Sequence, residues 1–225
     1  MIRFIASTRL QSAEEFMTTS LLGQSFQRLA QFSAMEIKVG LAAKDGLAAV
    51  FNPEIERASP EDILVFIHDD VWIDDWLIEL RLKEALASFD VIGVAGNLFR
   101  QPKQRGWYGT MDALGEEFKT LGEAHYAIGR PNKTPTHSNA IIPMEVKLLD
   151  GVFIAVKAKT LHDTAIRFDP QFHYHHYDLD FCRQSEREGL KMGVWPIALT
   201  HASEFGDVGQ AWFDSGTAYL KKWPD

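Results

Sequence analysis

Residues 63–77 read ILVFIHDDVWIDDWL. Five consecutive apolar residues without alternation fit a strand covered on both faces, the pattern of a parallel strand inside an α/β sheet. Helices must then flank it on either side. The run ends in His68-Asp69-Asp70, and a second acidic pair, Asp74-Asp75, follows. A strand this apolar delivers carboxylates to its end for a reason, and the two pairs need not share one.

Neighbouring segments supply the layers. IRFIAS (2–7) reads as a strand. SAEEFMTTSLLGQSFQRLA opens with Ser12-x-x-Glu15, the form of a capping box, and predicts one helix. MEIKVGLA (35–42) alternates with period two, and GLAAVFNPEIERA predicts helical pieces broken near Pro53. DDWLIELRLKEALASF predicts the clearest helix, with Trp76, Leu77, Leu80 and Leu82 on its apolar side. DVIGVAG (90–96) is a fourth strand. Strand and helix alternating in this order predict an open, mostly parallel α/β sheet flanked by helices.

The rhythm is lost over 97–145, where Gly, Pro, Asn and Thr reach loop density; a functional loop and plain surface turns both fit, and Trp107 and Tyr108 are costly to expose without a use. VKLLDGVFIAVKAKTL (146–161) is strand-like on both sides of Asp150-Gly151. YDLDFCRQSEREGL predicts a helix, KMGVWPIALTHAS a final strand ending in His201, and GQAWFDSGTAYLKKW a short helix packed on the outside. The division expected is a single domain over 1–225: a nucleotide-binding half (1–96), an acceptor half with the loop insertion (97–205) and a tail (206–225).

In an open parallel sheet, ligands bind outside the carboxyl ends of the strands. Asp69-Asp70 therefore reads as chemistry. Asp74-Asp75 reads as capping, since carboxylates there can accept from the first-turn amides of the following helix. Mg²⁺ and Mn²⁺ take oxygen ligands, often one or two carboxylates plus a substrate's phosphates, so an Asp at the crevice lip suits a metal bridging to a diphosphate. An Asp pair that merely ends a strand remains the plainer alternative.

The net charge of -8 argues against a general nucleic-acid binder. The single cysteine, Cys182, excludes an intrachain disulfide framework and a cysteine-rich zinc cluster, and reads most simply as a small buried apolar residue. No apolar run is long enough to span a bilayer, and the first residues lack a signal peptide's apolar core. The expectation is a cytoplasmic protein without an integral membrane segment, peripheral to the inner membrane if its acceptor is lipid-linked.

Taken in order, several segments resemble the GT-A glycosyltransferases, in particular family-2-like bacterial enzymes of the StrF-related type. LAAVFNPEIERASPEDILVFIHDDVWI resembles an Asn-containing helix and the strand carrying Asp-x-Asp. LLDGVFIAVK resembles the acceptor-side segment, HYDLDFCRQSEREGLKMGVWP the Glu-Asp-x-Asp-x-x-x-Arg helix with its following strand, and ALTHAS the closing strand with a metal-binding His. The match covers roughly residues 40–205 and rests on order and spacing.

The resemblance implies a nucleotide-diphosphate sugar donor, a glycan or small-molecule acceptor, and inversion at the anomeric carbon. It places Asp70 on the second Asp of Asp-x-Asp, a direct metal ligand, and His201 on the C-terminal ligand. Imidazole favours Mn²⁺ over Mg²⁺. Asp69 is the middle residue, a nucleotide contact. His68 stands where the first Asp belongs, which removes a carboxylate from the donor site. Asp178 matches the base that takes the acceptor's proton, with Tyr177 in place of the adjoining Glu. Asp180, two residues on, points elsewhere, and Arg183 could hold a carboxylate or lie on the surface. Ser7 and Thr8 end the first strand, where this fold places the base and ribose.

Other residues carry weaker signals. FHYHHYD (172–178) reads as an acceptor-facing loop of amphipathic rings rather than as zinc ligands, because His-Glu-x-x-His is absent. Asp150 could bind a sugar hydroxyl, with Gly151 marking close backbone approach, or the two could form a bulge or turn. Asp45 reads as part of a turn. A metal-dependent nucleotidyltransferase would share the crevice, but ASTRLQSAEEF has one Arg and no Gly for a phosphate loop. A GT-A-like module that binds nucleotide or a partner without turnover also fits the His68 and Tyr177 replacements.

Overall fold

The structure, a computed structural model, describes residues 1–108, 142–202 and 209–224, with backbone strands at 123–125, 128–130 and 133–136. The first half runs β1 (Ile2–Ser7), α1 (Ala13–Thr19), α2 (Leu21–Leu29), β2 (Met35–Gly40), α3 (Leu47–Arg57), β3 (Ile63–Ile67), β4 (Val71–Ile73), α4 (Ile78–Ser88), β5 (Val91–Gly93) and β6 (Ala95–Asn97). There follow β7 (Glu123–His125), β8 (Ile128–Arg130), β9 (Lys133–Thr136), β10 (Met144–Glu145), β11 (Leu148–Leu149) and β12 (Phe153–Lys157). The chain closes with α5 (Ala158–Thr164), α6 (Tyr177–Arg187), β13 (Met192–Val194), β14 (Leu199–His201) and α7 (Gln210–Lys222).

Seven strands form the central sheet in the order β10-β13-β5-β12-β3-β1-β2. Five of them run one way; β12 is antiparallel to both β3 and β5, and β10 to β13. This is the mixed but mostly parallel α/β sheet that the sequence implies. Side chains of β3 alternate between two cores: Leu64 and Phe66 join Phe51, Phe168 and Phe181 on one face, while Ile63, Val65 and Ile67 join Phe4, Phe16 and Leu82 on the other. Two buried faces explain why this segment shows no period of two.

Several boundaries differ from expectation, each for a local reason. The single helix predicted after β1 is two, because Ser20 is extended (φ -75°, ψ 148°) and its hydroxyl accepts from Gly23 N to start α2. A Cβ on Gly23 would lie 2.2 Å from Phe16 O, so the two helices cross too closely for any other residue. Helix α4 begins at Ile78, beyond both members of the acidic pair. Its inner face is Ile78, Leu82, Ala85 and Leu86, while Trp76, Leu77 and Leu80 are exposed, which corrects the predicted apolar side.

The segment 90–96 divides between two sheets as β5 and β6, and AKTL (158–161) belongs to helix α5 rather than to a strand. The predicted final strand is likewise two: β13 lies in the central sheet, whereas β14 joins a four-stranded sheet ordered β4-β14-β8-β9. Where loop alone was expected, the middle segment holds short strands; the rest of 109–141, like 203–208, lies outside the described residues.

Helix α7 is tied in more closely than an outer helix need be. Lys222 Nζ lies 2.7 Å from Asp180 Oδ1, and Trp223 Nε1 donates to the same oxygen at 2.8 Å. Gln184 Nε2 donates to Asp180 Oδ2. Asp180, fully buried, is thus the socket for the end of α7.

Candidate active site

Strand β3 ends at the carboxyl edge of the sheet, and the chain turns there through His68-Asp69-Asp70 into β4. Strand β4 pairs antiparallel with β14, setting His201 opposite Val71, and Ala202 N donates to Asp70 O. The small sheet thereby carries His201 to Asp70 from the far end of the chain. His201 Nε2 lies 3.2 Å from Asp70 Oδ1, and His68 Nδ1 lies 4.0 Å from the same oxygen. His201 Nε2 is buried and forms no well-directed hydrogen bond within the described residues. The three side chains offer donor atoms all within 4.8 Å of one another. Two imidazoles and one carboxylate suit a divalent transition metal such as Mn²⁺ better than Mg²⁺.

Beside this cluster lies a cleft of about 690 Å³. Its floor is the ends of β1 and β3, including Ser7, Thr8, His68, Asp69 and Asp70, and Tyr174 and His175 form a wall. Thr8 is held on the sheet edge by its amide, which donates to Gly40 O, and its hydroxyl accepts from Leu10 N. Asp69 O accepts from Leu22 N in the first turn of α2. The size suits a nucleotide or another small ligand.

Asp178 stands in the first turn of α6. Its Oδ2 accepts from Gly151 N (3.1 Å) and its Oδ1 from Leu179 N (2.9 Å). Burial, and then the negative charge of Asp150, push its carboxyl up to about 7. Asp150 uses Oδ1 to accept from Val152 N, so Asp150-Gly151 is a turn between β11 and β12 and not a strand interior. Neither Asp150 nor Asp178 is among the residues lining the cleft; Asp178 is linked to its His68 through Gly151 and Tyr177.

Tyr177 is the residue that joins the parts. Its hydroxyl lies 2.9 Å from His68 Nε2 and 3.0 Å from Gly151 O. Burial, then the charges of Asp178 and Asp150, push the phenol well above its usual range, so it stays protonated. Desolvation and the nearby His201 hold His68 below the ordinary imidazole value. Tyr108, half-buried against Trp107, has its phenol raised by burial and by the nearby carboxylates of Asp150 and Asp178.

Two readings of the sequence change here. Asp74 does not cap α4: its Oδ2 accepts from Thr200 Oγ1 and its amide donates to Ala198 O, which pins β14. Asp75 alone serves the turn before the helix, accepting from Leu77 N and pairing with Arg81. The ring-rich segment 172–178 does not act as one acceptor-facing loop. Tyr174 and His175 face the cleft, with Tyr174 Oη donating to Ala43 O. His176 instead is buried in a left-handed conformation (φ 64°) against Trp212 and Tyr219 of α7. The segment's histidines form no metal-like cluster among the described residues. Arg183 is buried, its guanidinium 4.8 Å from the Trp223 ring centre and its Nε 3.5 Å from Glu186.

No family model matches this chain, and no curated protein sequence matches it. Solved structures do. The crystal structure of A197 from STIV superposes with a TM-score of 0.50 at 12% identity, over 90% of this chain and 86% of that one. The crystal structure of GalNAc-T7 with UDP, GalNAc and Mn²⁺ superposes with a TM-score of 0.53 at 7% identity, over 100% of this chain and 48% of that one. This chain therefore spans about half the length of GalNAc-T7. At such identities the likeness is one of architecture: the chain has the GT-A fold of the nucleotide-sugar glycosyltransferases.

Proposed function

We propose that this protein is a metal-dependent glycosyltransferase that moves a sugar from a nucleoside-diphosphate donor to an acceptor hydroxyl with inversion. The observation that carries this reading is the meeting, at one strand end, of a nucleotide-sized cleft with the His68, Asp70 and His201 cluster. GalNAc-T7 holds UDP and Mn²⁺ on the same fold, which supports a nucleotide and a metal here.

In this reading Asp70 and His201 hold the metal. When bound, it supplies positive charge against which a diphosphate can depart. Ser7 and Thr8 receive the base and ribose, and Asp69 and His68 line the path to the phosphates. Asp178 takes the acceptor's proton as the acceptor oxygen bonds to the anomeric carbon and the bond from that carbon to the diphosphate breaks. A carboxyl raised to about 7 suits a base working near neutrality. Gly151 N and Leu179 N fix its direction. In this reading Asp150, one residue before the glycine that donates to the base, accepts from an acceptor sugar hydroxyl. Among the described residues no helix is long and apolar enough to cross a membrane.

The test is thermal unfolding with UDP, GDP, CDP and dTDP, each with and without Mn²⁺. A ligand at a hundredfold its dissociation constant stabilises by about 2.7 kcal/mol, a rise of roughly 5–10 °C for a chain of this size. Asp178→Asn should keep that rise and abolish sugar transfer. No rise with any nucleotide would remove the donor site; a rise without transfer from any tested donor would mark a binding module.

A further inference from the structure

We propose that Tyr177 is a positioning residue: it fixes the hydrogen of His68 on Nε2 and so frees His68 Nδ1 to join Asp70 and His201 in holding the metal. The inference rests on the reading of Asp70 and His201 as metal ligands, and goes beyond it.

The argument is a count of hydrogens. Tyr177 Oη has one proton and two neighbours, Gly151 O at 3.0 Å and His68 Nε2 at 2.9 Å. A carbonyl oxygen can only accept, so the phenol proton goes to Gly151. His68 Nε2 must then bring its own hydrogen to the phenol oxygen. A neutral imidazole with its hydrogen on Nε2 carries its lone pair on Nδ1. Nδ1 is the atom that faces Asp70 Oδ1, at 4.0 Å, too far for a hydrogen bond. His201 Nε2 faces the same oxygen at 3.2 Å without a well-directed bond. His68 Nδ1 therefore brings a lone pair to the point on which Asp70 Oδ1 and His201 Nε2 also converge.

The glycine is part of the device. A Cβ at position 151 would lie 2.1 Å from Tyr177 Oη, so only glycine lets the phenol reach both partners. The same residue donates its N–H to Asp178 Oδ2. His68, Tyr177, Gly151 and Asp178 thus form one hydrogen-bonded line from the metal cluster to the base. The two positions at which the sequence departs from the glycosyltransferase pattern, 68 and 177, turn out to touch. Together they set an imidazole–phenol pair where the resemblance implies two acids.

Mn²⁺ binding to the metal-depleted protein tests this, titrated by electron paramagnetic resonance, with pulsed measurements to count directly bound imidazole nitrogens. Two nitrogens are expected in the wild type and one in His68→Ala. Tyr177→Phe should weaken Mn²⁺ binding about 10–100-fold, the usual cost of losing a partner that orients a ligand, and should cost nothing further in the His68→Ala background. One nitrogen in the wild type, unchanged by His68→Ala, would overturn the ligand while leaving the Asp70–His201 reading intact. An equal loss from Tyr177→Phe in both backgrounds would overturn the positioning role. No Mn²⁺ binding in any form would remove the underlying metal site as well. If Tyr177→Phe fails to fold, the nitrogen count in the wild type and His68→Ala still decides.

Discussion

Replacing Asp178 with Asn removes a carboxyl that burial and the charge of Asp150 raise from 3.8 to about 7. The sign of the effect on stability follows from where each state ionises. Below about pH 4 the carboxyl is protonated folded or unfolded, and it costs nothing. From there upward the unfolded chain ionises first, so the folded state loses stability until about pH 7, after which the loss is constant. Three pH units at about 1.4 kcal/mol each set a ceiling of ~4 kcal/mol. The side chain is only half-buried, and water screens it, so about half that figure is expected. Asn keeps one acceptor oxygen but turns an N–H toward the second backbone donor, a loss of about 1 kcal/mol. At pH 8 the variant should therefore be more stable than the wild type by about 1 kcal/mol, a rise of roughly 2–4 °C in Tm. At pH 4 it should be the less stable of the two. Urea unfolding of both proteins in chelator, at pH 4, 6 and 8, measures the difference directly. A difference that does not change with pH, or one that changes in the opposite sense, would refute the assignment of a strained, destabilising carboxylate to this position.

Sugar transfer should rise with pH and level off above about 7, since the base must be ionised to accept a proton, and the pH–rate profile checks this. Lys222→Met leaves the fully buried Asp180 without the ammonium 2.7 Å away. Because Lys222 is about one-third exposed, the loss should fall at or just under the ~3–5 kcal/mol of a broken buried pair; adding Asp180→Asn should recover most of it in urea unfolding. His201→Ala should abolish the Mn²⁺-dependent rise in Tm, and Mg²⁺ at equal concentration should produce a smaller rise than Mn²⁺ in the wild type, because nitrogen donors disfavour the harder ion.

The central strands were legible because a short uninterrupted run rich in β-branched and aromatic residues, as at Ile63–Ile67, is what burial on two faces leaves in a segment too short for a core helix. The helix carrying Asp178 was legible from its length, beyond that of an ordinary strand, although its buried residues between Tyr177 and Ser185 run nearly all round it. What failed to show were decisions made by distant parts of the chain. Asp74 looks like a cap locally and serves β14, a strand well over a hundred residues later. Trp76, Leu77 and Leu80 have the right polarity for a core, but the helix starts at Ile78 and turns them outward. The contact between His68 and Tyr177 has no local sign at all. Its only trace was that both positions broke the expected pattern, and each break viewed singly looked like a loss of function rather than half of an exchange. The splitting of 192–201 between two sheets was equally hidden, since Trp195-Pro196 reads as an interruption only once both partners of the flanking strands are known.

The pairing of β4 with β14 has a consequence for how the molecule holds itself shut. It closes a loop between positions 70 and 201, most of the chain, with only three residues on each side. An ion shared by Asp70 and His201 would act as a clasp across that closure, and its grip and the closure would strengthen each other by mass action. Withdrawing the ion should then loosen the small sheet well before the central one, so that chelation would raise amide exchange in β14 while leaving β3 protected.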